Sequence, residues 1–184
     1  MMLVNINYQL GSLFVLNSCD PARRSAIRVG VCNLDEDYLF EFGFGFGDGD
    51  GQLVWPVGID FDKNSRVLVS DEHNNRITIY SSEGKYVSHW GQKGKNQGEF
   101  EGPSGLAVTE DNVVFVSDQK NHRIQQYKPD GNFIAQWGEY GSGEGQFNLP
   151  WGITFDAQDR LYVSDWRNDR VQVCLLYTSD AADE

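Results

Sequence analysis

The sequence predicts an all-β protein assembled from repeated four-stranded units, and three observations predict it. Pro56, Pro103 and Pro150 lie 47 residues apart, as do Gly58, Gly105 and Gly152, and Asp71, Asp118 and Asp165. Short runs of alternating apolar residues fill each period, divided by glycine-rich and Pro-Asp-Gly stretches. The composition agrees: 20 Gly and 13% aromatic residues in a chain of 184 suit many short strands.

The middle unit shows how each element is read. Pro103 opens it, and "GLAVT" is the first strand. "VVFVSD" alternates apolar residues and is the second, and "RIQQYK" is the third. "PDG" is a turn, because Pro presets φ and Gly accepts a positive φ. "FIAQWG" is the fourth. Arg76, Arg123 and Arg170 keep the 47-residue step, and Trp90 matches Trp137. Four strands per 40–50 residues describe a β-propeller blade, whose sheet is apolar on both faces and needs neighbours on each. A fainter copy precedes these units. "RVGVCNLDEDYLFEFGFGFGDGDGQL" matches "RIQQYKPDGNFIAQWGEYGSGEGQF", "GSLFVLNS" is the strand before it, and "CDPARRSA" is a long turn. The expected organisation is a partial, divergent blade in residues 1–50, blades at 51–97 and 98–144, and a partial blade at 145–173.

The stretch "VSDQKNHRIQQYKPDGNFIAQWGEYGSGEGQFNLPWGITFD" resembles the NHL repeat, whose family forms six-bladed propellers. The likeness runs from about Gly11 to Val173 and is strongest from Gly51 onward. The pattern D-x-x-N-x-R occurs as Asp71, Asn74 and Arg76, as Asp118, Asn121 and Arg123, and as Asp165, Asn168 and Arg170. It is specific for the fold and says little about function. A six-bladed ring implies about twice as many blades, so the sequence is expected to be a fragment. "CLLYTSDAADE" has no counterpart in the other units and resembles a translated sequencing adapter. Residues 174–184 are therefore set apart from the fold.

Net charge is −12, divided −4, −5 and −3 over residues 1–50, 51–173 and 174–184. No segment is basic, so a nucleic-acid partner is not expected. Cys19, Cys32 and Cys174 lack the paired spacing of a zinc site and are too few for a disulfide framework. "MMLVNINYQLGSLFVLNSC" has no basic start, and Asn5, Asn7 and Gln9 interrupt its apolar run. It reads as strand rather than signal peptide, and no stretch is apolar for long enough to span a membrane.

Antiparallel four-stranded units place the second-to-third turns and the blade-to-blade links on one face. These are the longest connections, and loops on a rigid scaffold carry most binding groups. The Asp, Asn and Arg recurring in every turn read as structural. The residues that differ between turns are the binding candidates: His73, Asn75, Lys120, His122, Trp166 and Arg167, with Glu72 and Asp169 beside them. Trp166 is the anchor candidate, an aromatic in a polar turn. "GFGFGDGDG" lacks the Lys of a phosphate loop and the acids of an EF-hand, and reads as a link.

No catalytic or metal-binding set is visible. His73, His89 and His122 occupy different repeat positions. No cofactor is expected for this chain, although a divalent metal would fit a longer protein. The function expected is a non-enzymatic binding or scaffold module whose loop face takes a protein, peptide or small-molecule ligand. The resemblance also implies two alternatives: a metal-dependent lactonase-like or lyase-like propeller with its site in further blades, and an RNA-binding or ubiquitin-ligase substrate-recognition domain.

Overall fold

The computed structural model describes residues 2–7, 12–17, 28–35 and 37–175. Among these the regular structure is β-strand, apart from two single 3-10 turns at Gln119–Asn121 and Trp166–Asn168. The strands form four separate antiparallel sheets, each paired in chain order. The first holds β1 (Met2–Asn7), β2 (Ser12–Asn17), β3 (Arg28–Asn33) and β4 (Tyr38–Phe42). The second holds β5 (Pro56–Phe61), β6 (Val67–Asp71), β7 (Arg76–Tyr80) and β8 (Tyr86–Trp90). The third holds β9 (Pro103–Val108), β10 (Val114–Asp118), β11 (Arg123–Tyr127) and β12 (Phe133–Trp137). The fourth holds β13 (Pro150–Phe155), β14 (Arg160–Asp165) and β15 (Arg170–Leu175).

Two boundaries differ from the sequence reading. The first sheet has four strands rather than part of a unit, because "MLVNIN" pairs with β2 from Met2 against Asn17 to Asn7 against Ser12. It carries no proline or D-x-x-N-x-R marker, so the repeat could not reveal it. At the other end, β15 continues two residues past Val173. Cys174 pairs with Leu161, and Leu175 with Arg160. The remainder of "CLLYTSDAADE", Cys19 and the long turn "CDPARRSA" lie outside the described residues.

The first strands β5, β9 and β13 each begin at a proline, a strand position where a missing N–H costs no ladder bond. Alternation then gives the second and third sheets a buried apolar layer on each face, and the core is three layers between four sheets. Phe14, Val29, Val31 and Phe42 of the first sheet meet Ile59, Val67, Val69 and Tyr80 of the second. Leu68, Ile77 and Ile79 on the reverse of the second meet Leu106, Val114, Val116 and Tyr127 of the third. Phe115 and Ile124 meet Leu161 and Val163. Each link adds one wholly buried side chain to the layer it crosses, Leu53, Phe100 and Phe147 in turn. Burying such a side chain contributes roughly 1.5–3 kcal/mol.

The first strands β5, β9 and β13 stand side by side. They approach so closely that a methyl group on Gly58 would lie 2.6 Å from the Ser104 carbonyl oxygen, and one on Gly105 2.4 Å from that of Trp151. Hydrogen bonds cross at the same level. The Ser104 hydroxyl reaches the Pro150 carbonyl at 3.3 Å and that of Trp151 at 3.1 Å. The Asp60 carboxylate accepts the Val108 N–H at 2.7 Å. This line of strands fixes where the turns and links of one face converge.

Candidate functional site

The D-x-x-N-x-R turns clamp the links, so the two kinds of loop form one surface. In the third sheet the buried Asp118 carboxylate accepts the Glu101 N–H at 2.7 Å, the Asn121 amide at 2.9 Å and the Arg123 Nε at 2.7 Å. The Arg123 guanidinium also donates to the carbonyls of Lys95, Asn96 and Glu99 on the incoming link. Arg76 holds the carbonyls of Asp48, Gly49 and Gln52, and Arg170 those of Ser142, Gly143 and Gln146. Asn74, Asn121 and Asn168 donate to Gly47, Gly94 and Gly141. Apart from the Arg76 Nε, these nine motif side chains spend their donors and acceptors on the scaffold. Burial pushes the Asp118 carboxyl above its usual range, against the pull of Asn121, Glu101 and Arg123. Burial acts the same way on Asp165, but donors from Asn148, Asn168 and Arg170 outweigh it and hold that carboxyl low.

The clamp is incomplete in the second sheet. Gln125 and Gln172 each add an amide bond to their Asp and to a link carbonyl. Thr78 stands in that place, and its hydroxyl and the Arg76 Nε are buried without a partner. Thr78→Gln should supply those bonds to Asp71 and Gln52 and raise stability by about 1 kcal/mol. Urea unfolding of the two chains checks this; an unchanged or lower midpoint refutes it.

Two of the six binding candidates prove to be couplers between blades. Asn75 and His122 share one repeat position, both in the left-handed region at φ 53° and 56°. The Asn75 side chain accepts the Gly102 N–H at 3.0 Å, and His122 Nδ1 accepts the Leu149 N–H at 3.2 Å. Burial pushes the His122 pKa below its usual value, against Asp118 and Asp165, which act to raise it. A depressed folded pKa gives stability that is full above the unfolded value of about 6.5 and lost as pH falls through the folded one. Thermal melts between pH 7.5 and 5 should therefore fall, and His122→Asn, which keeps the acceptor, should flatten that fall. Parallel curves for the two chains would contradict the assignment.

Four of the six candidates border an open cleft of about 710 Å³ where the loops of the second, third and fourth sheets converge. His73, Asn75, Lys120 and Trp166 line it. His122 stands beneath the Tyr140 ring, centroids 4.9 Å apart. Arg167 lies over the face of Trp166, 4.6 Å from its centroid. Lys120 bridges to Glu72 of the preceding blade at 3.1 Å.

Among the lining residues the sequence reading missed two tryptophans, Trp55 and Trp151. Trp151 packs edge-on against Trp166, with centroids 5.8 Å apart. Trp55 and Trp166 are 54% and 50% exposed, too much for core residues. The scaffold demands none of the three. The positions equivalent to Trp55 hold Gly102 and Leu149, those equivalent to Trp151 hold Val57 and Ser104, and those equivalent to Trp166 hold Glu72 and Gln119. That comparison across units was the available signal. Among the described residues no three His, Cys, Asp or Glu side chains are grouped to hold a metal ion, and no helix is long and apolar enough to cross a membrane.

The NHL repeat family matches residues 100–127 and 147–174. No curated protein sequence matches the chain. Among solved structures, one of a nidogen/laminin complex is similar at 18% identity and a TM-score of 0.64, covering 92% of this chain and 57% of that one. Virginiamycin B lyase from Staphylococcus aureus is similar at 17% identity and a TM-score of 0.62, over 97% and 56% of the two chains. An auxiliary nutrient binding protein from Bacteroides thetaiotaomicron gives 16% identity and a TM-score of 0.61, over 87% and 44%. The chain thus spans about half the length of the structures it matches. These likenesses establish the fold: a run of four β-propeller blades in which residues 100–127 and 147–174 match the NHL repeat.

Proposed function

We propose that this chain is a non-enzymatic recognition module that binds a segment of a partner protein in the loop-face cleft. The observation that carries the reading is the set of three tryptophans at positions where the repeat elsewhere tolerates Gly, Leu, Val, Ser, Glu or Gln. Side chains the fold does not need, two of them held half-exposed around a cleft, match the aromatic anchors that dominate binding energy at protein interfaces. Charged residues ring them, as Lys120 and Glu72 do. The cleft lies within the size range of ligand sites. The titratable groups lining it, Glu72, His73, Lys93, Glu101 and Lys120, show no arrangement of nucleophile, base and orienting group. Among the similar folds, that of the nidogen/laminin complex comes from a protein–protein assembly, which supports a binding role.

Selecting displayed random peptides on the full chain tests the reading. Selected peptides should bind at least tenfold more weakly to a Trp55→Ala/Trp166→Ala chain, since each aromatic anchor is worth about 1 kcal/mol or more. They should bind normally to Glu83→Ala, on a turn of the opposite face. Equal binding to all three chains, or no selectable peptide, would refute it.

A further inference from the structure

The exposed aromatic residues lie on one face, apart from Tyr38 at the start of β4 on the other. Phe44, Phe46, Trp55, Tyr140 and Trp166 are each about half exposed or more, and all lie on the links, the turns or the strand starts beside them. The same face carries charges of both signs. Asp48, Asp50, Glu139, Glu144 and Asp169 stand exposed on it. The exposed cations there are Lys93, Lys95, Lys120 and Arg167. Two of these are already engaged, Lys120 by Glu72 and Arg167 by the Trp166 ring.

The Arg167–Trp166 pair shows the geometry this surface offers to a cation: a guanidinium carbon 4.6 Å from an indole centroid. Trp55 is the counterpart at the other side of the cleft and is more exposed than Trp166. Its main chain is fixed, with the N–H given to Asp71 at 3.0 Å and the carbonyl taken by Glu72 at 2.9 Å. Among the described residues no ring and no cation lies over its indole. An open indole attracts a cation through the negative face of its π-system, and the cleft around it holds Glu72 and Glu101 against Lys93 and Lys120. Net charge of −12 steers the same partner from a distance.

We propose that the cleft receives an arginine- or lysine-bearing segment of a partner protein, with one cationic side chain stacked on Trp55. This rests on the loop-face reading above and adds the chemistry of the occupant. Arginine fits better than lysine, because its planar group stacks and still donates in plane to carboxylates. Of the two carboxylates that line the cleft with Trp55, Glu72 is paired with Lys120, and Glu101 has no ion-pair partner among the described residues.

The experiment titrates the full 184-residue chain with three fluorescein-labelled peptides of one length, by fluorescence anisotropy. They alternate Gly with Arg, with norleucine or with Glu. The Arg peptide should bind saturably, weaken as salt rises, and lose about tenfold in affinity to Trp55→Ala. Trp55→Phe should lose less, since Phe is the weaker cation acceptor but keeps a ring. Trp-dependent binding of the norleucine or Glu peptide in place of the Arg peptide would overturn the cationic assignment and leave the loop-face reading standing. Arg-peptide binding that Trp55→Ala does not change would be charge attraction alone and would also overturn it. No Trp-dependent binding of any peptide would remove both readings.

Discussion

Gly105→Ala is expected to cost about 3 kcal/mol or more and to broaden or abolish cooperative unfolding. The added methyl would sit 2.4 Å from the Trp151 carbonyl oxygen, 2.7 Å from the Ile153 nitrogen and 3.0 Å from the Gly152 Cα. All three are backbone atoms of the neighbouring first strand, so no side chain can rotate away. Relief requires β9 and β13 to move apart, which also strains the Ser104 bonds to Pro150 and Trp151. Overpacking a close-packed site costs about 1–3 kcal/mol where side chains can yield, and more where they cannot. Gly105 is not in the left-handed region, so the cost is steric and not conformational. The equivalent change Gly152→Ala meets only the Ser164 hydroxyl, at 3.3 Å, and should cost about 1 kcal/mol or less. Urea unfolding of the two variants beside the parent decides the matter; similar losses from both would show that close approach of first strands is not what Gly105 provides.

The same close approach explains what the sequence could and could not disclose. The residues that recur at 47 steps are those that backbone geometry demands: the proline that opens β5, β9 or β13, the glycine that admits the next blade, and the Asp, Asn and Arg that clamp a link. Each answers to a contact of fixed shape, so each leaves a periodic mark. β1 left none, since its pairing with β2 is a plain ladder with no clamp or proline. The cleft was half legible. His73, Lys120 and Trp166 were marked out by varying inside a recognised turn. Trp55 and Trp151 were not, because they flank a proline whose role was already accounted for. They meet the turns only after three first strands are stacked, and Trp55 and Trp151 are far apart in the chain. Variation alone also points to scaffold. Asn75 and His122 differ from each other, yet both deliver the one acceptor that the next blade's N–H requires.

Arg123→Ala should be the most destabilising change among the motif residues, at about 3–5 kcal/mol. It removes the ion pair at 2.7 Å from a carboxylate that is wholly buried, and frees the Lys95, Asn96 and Glu99 carbonyls of the link. Asp118 depends on side chains for most of its partners, since Glu101 gives it one backbone N–H while Asn121, Gln125 and Arg123 supply the rest. Asp71 is served differently. The N–H groups of Val54, Trp55, His73 and Asn74 all point at it, and Arg76 Nε does not. Arg76→Ala therefore strands carbonyls but no carboxylate, and should cost about 1–3 kcal/mol. The pH dependence separates the causes. Burial already raises the Asp118 pKa above the unfolded value, and losing the guanidinium raises it further. A raised carboxyl is a liability at neutral pH that disappears as pH falls below the unfolded value near 4, because the folded state then holds the neutral acid. The deficit of Arg123→Ala relative to the parent should thus shrink between pH 7 and about pH 4, while that of Arg76→Ala stays level. Arg123→Lys should recover little, because an ammonium cannot reach Asp118 and the link carbonyls at once. A deficit for Arg123→Ala that is constant with pH, or no larger than that of Arg76→Ala, would show that the carbonyl clamp, and not the buried ion pair, is what the arginine of each blade contributes.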